Sequence, residues 1–320
     1  MKIPFERTLL GAYRFAFTNF LAILGIAWFP FLIVGVTAAG LVYSMLPLLN
    51  SLLTTGQDKW SETQTIPFVT SLVGSMSLLF VVFILAFAMV NVGLMRKALG
   101  QHPGPIYIFF SLGEQVWRMI GAYLLLMLLA WGIMIAFGLG LAVVTFALSK
   151  ISATVQTVGT ALLTLAAIFA GIYAIVRMQF FLPAVVVAEH HIGLRRSWNL
   201  GRGNFWRIVG IVILVTLPAY IVFTTLFSVV LQISLVRHAG PLAGIMPHMM
   251  QGKMTPEELR QYLTALLSAV ASVWPILAAM ELLYMVALTG LSTGAIATAY
   301  NLVTGATDSA PPSSSPKAPA

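Results

Sequence analysis

Six long stretches of this chain are apolar and almost free of charge, which restricts it to a fold that lives in a lipid bilayer. They run over Phe20–Leu46, Phe68–Leu94, Met119–Leu148, Thr154–Val176, Ile208–Val236 and Leu263–Leu288. A hydrocarbon core about 30 Å thick takes about 20 helical residues to cross, and each stretch is long enough. Charged residues make up 8% of the 320, where an ordinary soluble domain carries about 25%. A transmembrane barrel would need apolar and polar residues in strict alternation, and Leu78–Met89 (LLFVVFILAFAM) has none. The expected class is all-α: a polytopic membrane protein of six transmembrane helices with amphipathic interfacial helices between them.

The net charge of +8 would suit a nucleic-acid partner, but its distribution argues against one. Twelve basic residues fall on one side of the expected membrane, among them Lys2, Arg7, Arg14, Arg96, Lys97, Arg118, Arg177, Arg195, Arg196, Arg202 and Arg207, and five on the other. Loops rich in lysine and arginine stay in the cytoplasm, so both termini are expected there, in the cytoplasmic membrane of a bacterium. Such residues also attract anionic lipid headgroups at the inner surface. Residues 1–304 form one membrane domain by this reading, and residues 305–320, which end in SAPPSSSPKAPA, form a tail too polar to bury anything.

Short matching strings suggest three copies of one unit. Asn19–Gly25 reads NFLAILG, Gln115–Gly121 reads QVWRMIG and Asn204–Gly210 reads NFWRIVG. Each stands where a basic, aromatic-rich segment enters an odd-numbered span, so the unit would be an interfacial helix followed by a transmembrane hairpin. In the first copy Phe5, Leu9, Tyr13 and Phe17 recur every four residues, with Arg7 and Arg14 on another face. In the third, Leu194, Trp198, Gly201 and Phe205 make one stripe and Arg195, Asn199 and Arg202 the next. This pattern fits a helix with aromatics in the acyl boundary and arginines among phosphates; the plainer alternative is topogenic charge with an aromatic belt. The second copy is degraded by His102-Pro-Gly-Pro105. In the longer outer loop, Thr255-Pro-Glu-Glu258 has the form of a helix start, with a threonine cap, proline at the first helical position and glutamate at the third.

Few residues carry evident chemistry. Glu281 lies well inside the sixth span, far from any other charge. A carboxyl there is either a coupling site for protons or cations or a neutral acid hydrogen-bonded to a neighbouring helix. Pro30, Pro218 and Pro275 interrupt spans one, five and six, and such interruptions bend helices. Small residues spaced by four, Gly132, Ala136 and Gly140 in the third span and Gly290 and Gly294 at the end of the sixth, would let helices approach closely. His190 and His191 follow Glu189, but consecutive side chains on a helix diverge by about 100° and rarely share a metal ion. There is no cysteine, no HExxH, no glycine-rich phosphate loop and no nucleophile elbow, so neither an enzyme nor a resident cofactor or metal is expected.

From Phe181 to Pro218 the chain reads FLPAVVVAEHHIGLRRSWNLGRGNFWRIVGIVILVTLP. This stretch resembles the membrane domains of the glycerophosphoryl diester phosphodiesterase membrane-domain family and, more distantly, the YciC-type bacterial inner-membrane proteins. The matching positions are Pro183, Glu189, Leu194–Trp198, Leu200 and Arg202–Arg207. The resemblance implies a bacterial inner-membrane location and a six-span layout. It does not bring the hydrolytic activity, because nothing here corresponds to the soluble enzyme. The expected function is a non-enzymatic module that engages lipids or partner membrane proteins at the cytoplasmic face, in envelope or lipid homeostasis. Its headgroup-facing set would be Arg195, Arg196, Trp198, Arg202, Trp206 and Arg207. The competing expectation is a transporter of a small or lipidic solute that uses Glu281 as its coupling acid.

Overall fold

A computed structural model describes residues 2–55, 62–101, 108–237 and 255–305. The expected tail and most of the loop from Arg237 to Gln261 lie outside the described residues. Helices dominate, and there is no strand among the described residues. In chain order they are α1 (Phe5–Thr18), α2 (Phe20–Thr55), α3 (Glu62–Ala98), α4 (Glu114–Ser149), α5 (Ala153–Gln179), α6 (Leu182–Ala188), α7 (Leu194–Leu200), α8 (Phe205–Arg237) and α9 (Pro256–Thr304). Six of them, α2, α3, α4, α5, α8 and α9, are long and apolar enough to cross a membrane. Several overrun the bilayer: the 36 residues of α2 make a rod of about 54 Å. Pro30, Pro218 and Pro275 lie inside α2, α8 and α9 as expected, and Pro47 and Pro67 are also helical.

The long helices pack as sequential hairpins, α2 with α3, α4 with α5 and α8 with α9. Two of the three matching strings begin at the residue that starts a long helix: the Asn19 carbonyl accepts from Ile23 N and that of Asn204 from Ile208 N. The degraded second copy has no helix at 108–113, and α4 starts directly at Glu114. The start of α9 is capped as its sequence requires. Thr255 Oγ1 accepts from Glu258 N, and the Glu258 carboxylate accepts in return from Thr255 N.

Burial is concentrated where the basic segments meet the helices, here called the basic end. Both ends of the described chain lie there, because α1 packs on the last turns of α9. Small residues let α9 approach both α1 and α2: a Cβ on Gly294 would lie 3.0 Å from the Ala12 carbonyl of α1, and one on Gly290 would lie 2.8 Å from the Ile23 side chain of α2. The two glycines therefore do the close packing expected of them. Gly132 and Gly140 do not, since nothing approaches either within 4 Å.

The centre of the basic end is α6, whose Leu182–Val187 are all buried. Met89 and Met95 of α3, Met119 of α4, Ile208 and Ile211 of α8 and Leu291 of α9 complete the cluster around it. Away from this centre the hairpins open. In the most apolar part of α3, 50% of the residues are buried, whereas in that of α5 none is (0%). Near the open ends hydroxyls join the two arms within a hairpin: Thr145 of α4 bonds Thr160 of α5 at 3.2 Å, and Ser234 of α8 donates to the Ala269 carbonyl of α9 at 2.7 Å.

Candidate functional site at the basic end

The amphipathic helices are present, but they lie on protein. On α1 the buried face is Thr8, Ala12 and Ala16, turned to α9. The neighbouring aromatic stripe covers α8: the Tyr13 hydroxyl donates to the Leu214 carbonyl at 2.9 Å, and Phe5 abuts Gly210. Only Phe17, 76% exposed, points outward. On α7 and the turn after it the polar stripe of Arg195, Asn199 and Arg202 is exposed, as the spacing implies, while Leu194, Trp198, Gly201 and Phe205 turn inward.

Trp198 faces the protein because Arg177 lies beneath it. This arginine, at the end of α5, is buried, with its guanidinium 3.8 Å from the Trp198 ring centre and 5.2 Å from that of Tyr173. It donates to the Tyr173 hydroxyl at 2.8 Å and to the Trp198 carbonyl at 3.0 Å. A desolvated cation on an aromatic face is worth about 2 kcal/mol or more, so the arrangement fixes α7 to α5 without an acid. Gly201 is needed here, since a Cβ would lie 3.1 Å from the Arg177 carbonyl.

Arg196 is tied down as well. Its Nε donates to Glu189 Oε1 at 3.0 Å, and the Tyr300 hydroxyl of α9 donates to the same oxygen at 3.0 Å. His191 approaches the other carboxylate oxygen at 3.9 Å. His190, at φ 55°, engages Gln115 through Nδ1 at 3.0 Å, and its carbonyl accepts from Arg118, which also pairs with Glu114. The Glu189 group therefore joins α6, α7 and α9, and the two histidines take different partners.

Trp206 and Arg207 have a different setting. The N-terminal residues reach across to the start of α8: Ile3 N donates to Asn204 Oδ1 at 2.9 Å, and Arg207 donates to the Ile3 carbonyl at 2.8 Å. The two segments enclose an open cleft of about 670 Å³ lined by Pro4, Phe5, Glu6, Arg7, Trp206 and Arg207. Trp206 is 71% exposed and stacks edge-on against Phe205. The six expected headgroup residues thus separate into Trp206 and Arg207 in the cleft, Arg196 and Trp198 in internal contacts, and Arg195 and Arg202 on the exposed stripe. Glu6 joins the cleft unannounced by the sequence, which gives no signal that residues 201 positions apart are neighbours. Arg7 stands out beforehand only as part of a basic face.

Glu281 is exposed on the flank of α9. Along its stripe Leu267, Ala271, Trp274 and Ala278 are exposed, whereas Ala265 and Ala269 are buried on another face and Leu277, one turn before Glu281, is buried beside it. Glu281 is not among the residues lining the cleft.

A comparison with curated proteins and one with solved structures return no match. A family model described as a domain of unknown function, DUF7847, matches residues 112–303, from the approach to α4 to the last turn of α9. That is more than half of the chain and takes in the second and third hairpins with the whole of α6 and α7. With the fold and this match together, the chain belongs to the DUF7847 family.

Proposed function

We propose that this protein is a non-enzymatic module of the bacterial inner membrane that holds phospholipid headgroups, and through the same surface partner membrane proteins, at its cytoplasmic face. Both termini and the basic end would then be cytoplasmic, and the role would lie in envelope or lipid homeostasis. The observation that carries this reading is the open cleft at the basic end, where two guanidinium groups and an exposed tryptophan meet. Arginine is the side chain suited to phosphate, and tryptophan settles at headgroup depth. The exposed Arg195 and Arg202 add a positive surface beside it. The resemblance of Phe181–Pro218 to the glycerophosphoryl diester phosphodiesterase membrane-domain family supports the location and brings no hydrolytic chemistry.

The test is native mass spectrometry of the purified protein through graded delipidation. Wild type is expected to keep phospholipid after bulk lipid is gone, and Arg7→Gln/Arg207→Gln to lose it. Equal retention by the two would overturn the reading. The transporter alternative rests on Glu281 alone, which is exposed on α9 and does not line the cleft. Loss of pH-dependent solute flux in Glu281→Gln would nevertheless revive it.

A further inference from the structure

The cleft holds charges of both signs, and no ion pair joins them. Arg7 and Glu6 are exposed neighbours at the start of α1, and Arg207 faces them from the first turn of α8. Among the described residues neither Arg7 nor Arg207 is paired with an acid, and Glu6 is paired with no base. Arg207 spends one donor on the Ile3 carbonyl. A guanidinium carries five donors in a fixed fork, so this bond orients the group and leaves others to face the cleft. Glu6 sits in the first turn of α1, exposed beside Arg7.

We propose that the cleft selects a zwitterionic phosphoethanolamine headgroup, with the phosphodiester on Arg7 and Arg207 and the primary ammonium on Glu6. This rests on the headgroup reading above and names its ligand class. A purely anionic headgroup such as phosphatidylglycerol would satisfy the arginines with the same phosphodiester but would offer Glu6 only neutral hydroxyls and leave its charge without a positive partner. A choline headgroup could use the Trp206 face but has no N–H to give the carboxylate. An ethanolamine headgroup meets all three charged groups with a complementary atom. The cleft is wide open, as a site reached by a lipid headgroup would be, and the exposed Trp206 on its lining is a residue suited to headgroup depth.

The experiment is lipid exchange into the full-length protein, read by native mass spectrometry, with phosphatidylethanolamine, phosphatidylcholine and phosphatidylglycerol of matched acyl chains. Wild type should retain the ethanolamine lipid over the other two by about threefold or more, the size expected of one exposed ion pair. Glu6→Gln, at an exposed position that should not disturb folding, should bring the three lipids to parity without ending retention. Preference for phosphatidylglycerol in wild type, or an unchanged preference in Glu6→Gln, would overturn the zwitterion assignment and leave the broader reading standing. Retention that ignores headgroup and survives Arg7→Gln/Arg207→Gln would remove both. Soluble phosphoethanolamine is the last arm: binding as tight as that of the lipid would overturn a membrane source for the ligand.

Discussion

At the basic end Leu182–Val187 of α6 are all buried, whereas at the far end α4 and α5 touch each other, through a pair of threonine hydroxyls and Leu148 against Gly159, and leave their other faces open. The long helices are strongly apolar along both regions, so the hydropathy of the spans does not explain the difference. In lipid, helices gain nothing from hiding apolar faces, because acyl chains are as apolar as leucine. Tight packing appears where something other than hydrophobicity requires it. At the basic end that requirement is to order arginines, a carboxylate and the ends of several helices. The far end has no comparable polar groups to arrange.

This contrast can be broken or sharpened by paired substitutions, read as unfolding in detergent or bicelles. The largest effect should come from Leu182→Ala in the buried α6, which removes contacts on all sides and should cost about 2–4 kcal/mol. Leu139→Ala at a 65% exposed position of α4 should cost almost nothing; if the two were equal, the far end must be covered in the membrane and the comparison fails. Next is Gly294→Val, which drives a side chain into the backbone of α1 and should cost about 1–3 kcal/mol, while Gly140→Val, with open space around it, should change stability by under about 0.5 kcal/mol. The smallest measurable effect should be Ser234→Ala, which breaks the hydroxyl bond between α8 and α9 and should cost about 0.6 kcal/mol. A cost above that of Gly294→Val would mean that the open ends are held by their polar contacts far more firmly than their packing implies.

The positions read from sequence fared differently according to what each depended on. Gly290 and Gly294 pack as their spacing suggested and Gly132 and Gly140 do not, although the two motifs look alike; what separates them is whether another helix crosses there, and that is set by the whole bundle. The α7 stripe shows the same limit. Its periodicity gave the polar face correctly, but a period cannot say whether the opposite face meets acyl chains or protein. Trp198 meets Arg177, which in sequence is only one more cation at a span end. The cleft was half visible: Trp206 and Arg207 stand in a marked motif, while Glu6 becomes significant only once Ile3 is bonded to Asn204.

What the amino-acid order determined alone is therefore local and one-dimensional. It placed six apolar spans almost free of charge, three hairpins, the capped start of α9 and the crowding of basic residues at one end, because hydropathy and capping act within a few turns of chain. The tertiary structure decided which helix faces are covered, which arginines are tied down and which remain open, and that the N-terminal segment lies against α8. Those outcomes depend on contacts between residues as far as 204 positions apart, and no periodicity or local motif records them.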